Sequence, residues 1–178
     1  MKYWPAPDSY FKQIPVKGSP GSFWENRGDR FHCGVDIYAP EGSKVLSIED
    51  GKVIETGVFT FPEKVDYWNK TFYALIENNS GIICKYAEMD DVKVKKGESI
   101  KAGQLIGHVG QVLNSKKIEK TSPLYIQNIN KNQNNSMLHF ELYNKKTDLS
   151  KKYLGGNWFG SKKPNTLLDP TNYLISLT

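Results

Sequence analysis

Hydrophobic and polar residues alternate along several short stretches of this chain, a pattern typical of strands that bury one face. Residues 44–48 and 52–55 flank Asp50-Gly51, and because both of these residues tolerate positive φ, the pattern predicts a tight hairpin. Residues 72–77 and 82–86 flank a turn rich in Asn and Gly and predict a second hairpin. These elements favour a mainly β protein.

The second half of the chain is less regular. Residues 93–110 carry short aliphatic pieces between glycines, as expected where strands bend tightly, and residues 137–143 predict a further strand. Residues 112–136 are polar and rich in Lys and Asn, so we expect a long connecting segment there. Asp169-Pro170 combines an N-capping acid with a residue suited to the first helical position and predicts a short helix over 171–177.

The length of 178 residues suits one domain with its own core, and we expect a single domain over residues 1–178. The predicted fold class is an antiparallel β-sheet or barrel-sandwich with a short C-terminal helix. A mean hydropathy of -0.55 and the lack of a long apolar run argue against a membrane span. The amino terminus lacks the apolar core of a secretory leader, so either the protein is not exported or this chain is the trimmed mature form.

The charge and the cysteines exclude several classes of protein. A net charge of +5 is small, and the lysines neither follow an amphipathic helix nor alternate with stacking aromatics, so we expect no nucleic-acid partner. Two cysteines, Cys33 and Cys84, are too few for a disulfide-rich scaffold or a four-cysteine zinc site. Either one disulfide or two buried thiols remains open.

A small set of residues offers metal chemistry. His32 and Asp36 lie four positions apart with Gly34 between them, so on an extended chain their side chains share a face. His139 lies on the predicted strand over 137–143, where it shares a face with Met137 and Glu141. Two imidazoles and one carboxylate form a ligand set of catalytic zinc, with one coordination position left open.

The same residues carry a resemblance to a known family. The stretch Arg30-Phe31-His32-Cys33-Gly34-Val35-Asp36 and the stretch Met137-Leu138-His139-Phe140-Glu141 resemble motifs of the lysostaphin/LytM-type zinc metallopeptidases, which are cell-wall endopeptidases. Lys85 to Met89, the glycine-rich hairpin and Asp169-Pro170 match further family segments in the same order. The resemblance implies a duplicated-hybrid β fold, and it implies that His32, Asp36 and His139 are the zinc ligands.

Two positions depart from the family pattern. Glu88 replaces the histidine of the Tyr-x-His segment, and Met137 replaces the first histidine of the His-x-His pair. In the family, these two imidazoles orient the attacking water and stabilise the tetrahedral intermediate. Losing a general base and an oxyanion donor together removes on the order of 5 kcal/mol of transition-state stabilisation. Met137 supplies neither function, because a thioether neither takes up a proton at neutral pH nor donates a hydrogen bond.

Glu88 leaves three alternatives open. Its carboxylate can act as a general base by a different route, bind the zinc as a fourth ligand, or be a surface glutamate on an edge strand. Tyr86, Met137 and Glu141 are candidates for residues that orient a ligand or line the substrate groove.

The sequence therefore supports two functions. The preferred hypothesis is a metallopeptidase-like module that keeps the zinc site, has little or no activity, and binds a cell-wall peptide or a protein partner. The alternative is an active zinc-dependent peptidoglycan endopeptidase that uses Glu88 as its general base. Both place the protein outside the cytoplasm, in the cell envelope or secreted, if a leader has been trimmed.

Overall fold

The computed structural model describes residues 2–132, 135–146 and 151–177. Most of the regular structure in these residues is β-strand, and the two α-helices are short. The strands are β1 (Phe31–His32), β2 (Val35–Tyr38), β3 (Lys44–Leu46), β4 (Gly51–Thr60), β5 (Thr71–Asn78), β6 (Ile83–Val92), β7 (Ser99–Ile100), β8 (Leu105–Val109), β9 (Met137–Tyr143), β10 (Tyr153–Leu154), β11 (Asn157–Trp158) and β12 (Leu167–Leu168). The helices are α1 (Leu124–Lys131) and α2 (Thr171–Ile175), and a 3-10 turn at Ser115–Lys117 precedes α1.

The strands form one large and one small sheet. The large sheet has the order β12-β9-β6-β5-β4-β7, with β2 paired to β9 and with β8 paired to both β3 and β6. The small sheet has the order β1-β11-β10. Every strand pair of the described residues is antiparallel, which confirms the predicted mainly β, antiparallel fold class.

Strand β9 separates the core from the face that carries the site. Leu138, Phe140 and Leu142 point into the main hydrophobic core. His139 and Glu141 point to the opposite face, because successive side chains of a strand alternate. The strand predicted over residues 137–143 is therefore confirmed with its two faces.

The two predicted hairpins have different outcomes. Strands β5 and β6 form a hairpin with Ile76 opposite Cys84, as predicted. The prediction of a hairpin at Asp50-Gly51 is wrong, because β3 pairs with β8 while β4 pairs with β5 and β7. The Asp50 carboxylate accepts a hydrogen bond from the backbone N–H of Ala102 at 2.8 Å, so it caps a neighbouring loop instead of closing a turn between β3 and β4.

The segment over residues 112–136 contains a helix that its polar composition did not predict. Helix α1 lies within it, and its one buried residue is Ile126. Residues 133 and 134 of this segment lie outside the described residues.

The remaining predictions concern the helix, the thiols and the membrane. The C-terminal helix is present as α2, and Asp169 accepts a hydrogen bond from the backbone N–H of Thr171 at 2.9 Å. Cys33 and Cys84 are both buried and unpaired, so the disulfide alternative is wrong. Across the described parts of the chain, no helix has the length and apolarity needed to cross a membrane.

Candidate metal centre

Three sequence-predicted ligands come together where the two sheets meet. His32 ends β1 of the small sheet, and Asp36 lies in β2 of the large sheet, after the chain bends at Cys33-Gly34. His139 lies directly opposite Asp36 in the antiparallel pair of β2 and β9. The chain therefore brings the three side chains together by changing sheets between His32 and Asp36.

The donor atoms of this cluster form a small triangle. Nε2 of His32 is 3.0 Å from Nδ1 of His139 and 3.1 Å from Oδ1 of Asp36, and the last two atoms are 2.9 Å apart. All three residues are buried. Ligands about 2.0–2.1 Å from one tetrahedral zinc ion are roughly 3.4 Å apart, so this triangle fits a shared ion after small adjustments.

The outer contacts of the two rings orient their inner nitrogens toward the triangle. Nδ1 of His32 is 2.9 Å from the carbonyl oxygen of Ser22, which accepts only, so this nitrogen carries the proton. Nε2 of His139 is likewise 2.9 Å from the carboxylate of Glu141. The inner nitrogen of His32 therefore offers a lone pair, whereas Nδ1 of His139 faces Oδ1 of Asp36 at 2.9 Å and donates to it when no cation lies between them. A cation in the triangle would replace that proton and be bound by both inner nitrogens and the aspartate oxygen, which is the arrangement of a metal site.

Two glycines allow the backbone to approach the His139 ring. A Cβ on Gly34 would lie 2.9 Å from Cε1 of His139 and 2.4 Å from the carbonyl oxygen of Phe140. A Cβ on Gly156, where φ is +74°, would lie 2.7 Å from the same ring. Real Cβ atoms do not come this close to other atoms, so a residue with a Cβ would not fit at either position. The backbone can lie against the imidazole ring and hold it in place only because both residues are glycine.

The pKa values of the three clustered side chains differ from those of the free side chains. Burial would raise the pKa of Asp36, but the two imidazoles hold it well below its usual value. Burial and the nearby Arg27 charge lower the pKa of His32. Burial opposes the charged form of His139 too, yet hydrogen bonds to Asp36 and Glu141 raise its pKa to about 9. An anionic Asp36 thus faces two rings that differ in their affinity for a proton.

Glu88 enters the same cleft through a distortion of β6. Its φ is +63°, in the left-handed region that non-glycine residues rarely adopt. The register of β6 against β5 shifts here, since Phe72 faces Met89 while Ala74 faces Tyr86. The shift is a β-bulge, which re-aims side chains beside functional sites. Burial and the Asp36 charge raise the pKa of Glu88 to about 8, and its buried Oε2 has no hydrogen-bond partner among the residues that the structure describes.

The other sequence-predicted residues divide between the two faces of the sheet. Met137 is buried and lines the cleft with Glu88 and Asp36. Glu141 contacts His139, as described above. Tyr86 lies on the core side of β6, where its hydroxyl accepts a hydrogen bond from the backbone N–H of Ile48 at 3.0 Å.

Arg27 is a residue of the cleft that the sequence did not indicate. Its guanidinium is 3.4 Å from Oδ2 of Asp36 and 3.0 Å from Glu25, and it donates to the side-chain oxygen of Asn157 at 3.1 Å. It therefore holds the Asp36 oxygen that does not face the imidazoles. The contact with Asn157 joins distant parts of the chain, so the sequence does not indicate it.

Helix α1 covers the cleft. The ring of Tyr125 stacks on Arg27 with 4.6 Å between the ring centroid and Cζ, and Ile126 packs into a cluster with Trp68 and Leu113. The space left beneath the helix, between Arg27, Asp36 and Glu88, has a volume of about 30 Å³. A water molecule needs about 10–15 Å³ of such volume, so this space has room for water but is too small for a peptide.

Comparison with known proteins places the chain in a family. The family model described as "Peptidase family M23" matches residues 30–151, more than half of the chain. The chain belongs to peptidase family M23. The peptidoglycan DD-endopeptidase ShyB of Vibrio cholerae is 38% identical over 79 residues, which cover 44% of this chain and 17% of ShyB. The matched region spans no more than about a fifth of the first curated relatives.

Solved structures of other proteins share the fold. The antimicrobial peptidase lysostaphin from Staphylococcus simulans aligns with a TM-score of 0.57 and 20% identity, over 99% of this chain and 56% of that chain. A chain from the complex of SpoIIIAH and SpoIIQ aligns with a TM-score of 0.54 and 16% identity, over 97% of this chain and 99% of that chain. At these identities the likeness concerns the fold alone.

Proposed function

We propose that this M23 domain binds zinc through His32, Asp36 and His139 and acts as a non-catalytic or weakly active module that binds a cell-wall peptide. The observation that carries the proposal is the small cleft beside the ligand triangle, where Tyr125, Ile126 and Ile129 of α1 line the same space as Asp36 and Glu88. A peptidase must admit its substrate to the metal, and about 30 Å³ admits none.

The chemistry of the cleft supports low activity as well. Zinc, when bound, supplies a Lewis acid that polarises a peptide carbonyl and activates water. Glu88 and Met137 occupy the positions that the family resemblance assigns to the catalytic imidazoles. A thioether gives no proton transfer, and a buried carboxylate with a pKa of about 8 is largely protonated at neutral pH without a cation beside it.

The residues around the triangle suit a lasting metal site. Ser22 and Glu141 orient the two imidazoles, and Arg27 holds the second oxygen of Asp36. Such outer contacts usually change metal affinity by 10–100-fold when they are removed. Glu88 is not a member of the ligand triangle, so the fourth-ligand alternative finds no support in this geometry.

A second candidate is an active peptidoglycan endopeptidase with Glu88 as general base. The observation in its favour is the unpartnered Oε2 of Glu88, which is buried in the same cleft as Asp36. A cation in the triangle would lower the pKa of this carboxylate and make it a base. Helix α1 would have to move away before a peptide could enter.

The packing suggests a single domain, and the family motifs suggest that it lies outside the cytoplasm. Residues beyond the family match contribute to the same core, including Trp4 near the start and Leu174 in α2. We therefore propose a single domain over residues 1–178. An envelope or secreted location follows if its ligand is a cell-wall peptide, as the name of ShyB suggests for that relative.

Metal analysis and a digestion assay test the proposal. Protein purified without a metal-affinity tag should contain one zinc per chain, and His139→Ala should lose it. The matched control is His108→Ala, because the His108 ring contacts the carboxylate of Asp91, outside the cleft. Purified peptidoglycan and pentaglycine should be cleaved slowly or not at all. Hydrolysis that Glu88→Gln abolishes would establish the second candidate, and absence of zinc would overturn both.

A further inference from the structure

The guanidinium of Arg27 uses each of its three nitrogens for a different partner. Nε donates to Glu25 at 3.0 Å, Nη1 donates to the side-chain oxygen of Asn157 at 3.1 Å, and Nη2 lies 3.4 Å from Oδ2 of Asp36. The side chain of Arg27 is 6% exposed. A planar guanidinium with partners on three sides cannot turn without breaking a contact, so its position beside Asp36 is fixed.

Two of these partners are themselves held by the backbone. Glu25 accepts a hydrogen bond from the backbone N–H of Gly21 at 3.0 Å, and Asn157 donates to the carbonyl oxygen of Gly155 at 2.8 Å. The negative charge of Glu25 also offsets the positive charge of Arg27, which reduces the repulsion between Arg27 and a cation in the triangle.

The two carboxylate oxygens of Asp36 face different groups. Oδ1 lies 3.1 Å from Nε2 of His32 and 2.9 Å from Nδ1 of His139, whereas Oδ2 faces Arg27. Gly21 lies against the same carboxylate, since its carbonyl oxygen accepts from the Asp36 N–H at 2.9 Å and a Cβ on Gly21 would lie 3.3 Å from Oδ2. The carboxylate therefore presents one oxygen to the triangle, and it can present both only if Oδ2 leaves Arg27.

The number of Asp36 oxygens on the metal affects the remaining coordination position. Two imidazoles and one carboxylate oxygen leave the fourth position of a tetrahedral zinc open for a ligand from solution. A second oxygen of the same carboxylate would crowd that position, and it would make the site five-coordinate when the outside ligand is kept.

Tyr125 of α1 covers one face of the Arg27 guanidinium. The ring centroid lies 4.6 Å from Cζ of Arg27, and because this contact uses the face of the group, it competes with none of the three contacts made by the nitrogens. Excluding water from this face strengthens the ion pair with Asp36, because charges attract one another more strongly at a lower dielectric constant. Helix α1 therefore acts on Asp36 through Arg27.

We propose that Arg27 is a positioning residue that keeps Asp36 on the metal through one oxygen, and that the ring of Tyr125 couples α1 to this coordination mode. The inference rests on the proposed function in taking the triangle as a metal site. It goes further by giving the covering helix an effect on the metal itself. Release of α1 would expose the guanidinium to water, weaken the ion pair and favour binding through both oxygens of Asp36.

Cobalt(II) in place of zinc tests this coordination mode. Four-coordinate cobalt absorbs visible light more strongly than five-coordinate cobalt, so the intensity of the cobalt bands reports the coordination number without any activity assay. Arg27→Gln should bind cobalt and lose about twofold or more of the band intensity of the unchanged protein.

Arg30→Gln is the matched control for the Arg27 variant. Arg30 also lies over the ring of Tyr125, with 5.9 Å between Cζ and the ring centroid, but it pairs with Asp29 at the surface. This variant should keep the cobalt spectrum. An unchanged spectrum in folded Arg27→Gln, or the same loss in both variants, overturns the proposal. If Arg27→Gln does not fold, Arg27→Lys keeps the charge without the planar fork and should show the same loss.

Two variants of Tyr125 test the coupling to α1. Tyr125→Leu removes the ring over Arg27 and should lower the band intensity in the same direction as Arg27→Gln. Tyr125→Phe keeps the ring and should keep the spectrum of the unchanged protein. An unchanged spectrum in Tyr125→Leu, or an equal loss in Tyr125→Phe, overturns the coupling through the ring.

Metal uptake separates this inference from the proposed function. A protein that takes up neither zinc nor cobalt overturns the proposed function, and this inference falls with it. Uptake of one ion per chain, with the same cobalt spectrum in every variant, leaves the metal site standing and overturns the positioning by Arg27.

Discussion

Oε1 of Glu141 lies 2.9 Å from Nε2 of His139 and leaves Nδ1 of the same ring facing Asp36. When a cation is bound at Nδ1, this contact keeps the ring proton on Nε2, because the carboxylate of Glu141 accepts only. Burial opposes the anionic form of Glu141, but Lys85 and His139 hold its pKa well below the usual value. The orientation of one proposed ligand therefore depends on a residue that lies outside the triangle.

Glu141→Gln should weaken zinc binding by roughly 10–100-fold while the fold persists, since the amide no longer enforces the lone pair at Nδ1. A competition titration with a chromogenic chelator measures the loss. Glu55→Gln, on the same sheet face but without contact to His139, is the matched control. Identical affinities for the two variants would show that Glu141 does not orient the ring.

Ile126→Asp should detach α1 from the cleft. Ile126 is 3% exposed in the cluster with Trp68 and Leu113, and a buried unpaired carboxylate costs several kcal/mol. Proteolysis within residues 118–132 should accelerate on the order of tenfold or more, as expected for local opening. Leu124→Asp on the same helix is the control, because Leu124 is 77% exposed. Equal proteolysis of both variants would contradict a packed cover.

Restoring the two imidazoles should not restore full activity by itself. The double variant Glu88→His with Met137→His supplies the missing groups, but the closed helix still excludes substrate. Adding Ile126→Asp should raise peptidoglycan hydrolysis above the double variant's level, and this triple variant should exceed an opened variant without the two imidazoles by on the order of 10²-fold. Glu88→Gln with Met137→Leu and Ile126→Asp controls for opening alone. A double variant as active as the triple variant would refute the exclusion by α1.

Gly34→Ala should destabilise the protein and abolish zinc binding together. The new Cβ would lie 2.4 Å from the carbonyl oxygen of Phe140, so the backbone or the His139 ring must move. The free energy of unfolding should fall by about 1–3 kcal/mol in a urea titration. Gly28→Ala is the comparison, since its Cβ meets nothing within 4 Å and only its φ of +95° is strained. That variant should keep its zinc.

Local sequence patterns determined much of the fold and of the candidate triangle. The alternation over residues 137–143 set which side chains of β9 fill the core and which, including His139, face the site. The turn at residues 78–81 set the β5–β6 hairpin. These features depend on neighbours within a few residues, so they can be read along the chain.

The tertiary structure alone decided how the cleft is closed. The bulge that aims Glu88 toward Asp36 depends on the register between β5 and β6. The residue with the positive φ is Glu88 itself, so no glycine in the sequence indicates the bulge. The stacking of Tyr125 on Arg27 and the contact of Lys85 with Glu141 join residues that are far apart along the chain. A sequence pattern reports which face of an element is buried, but which distant elements meet there depends on the packing of the whole domain.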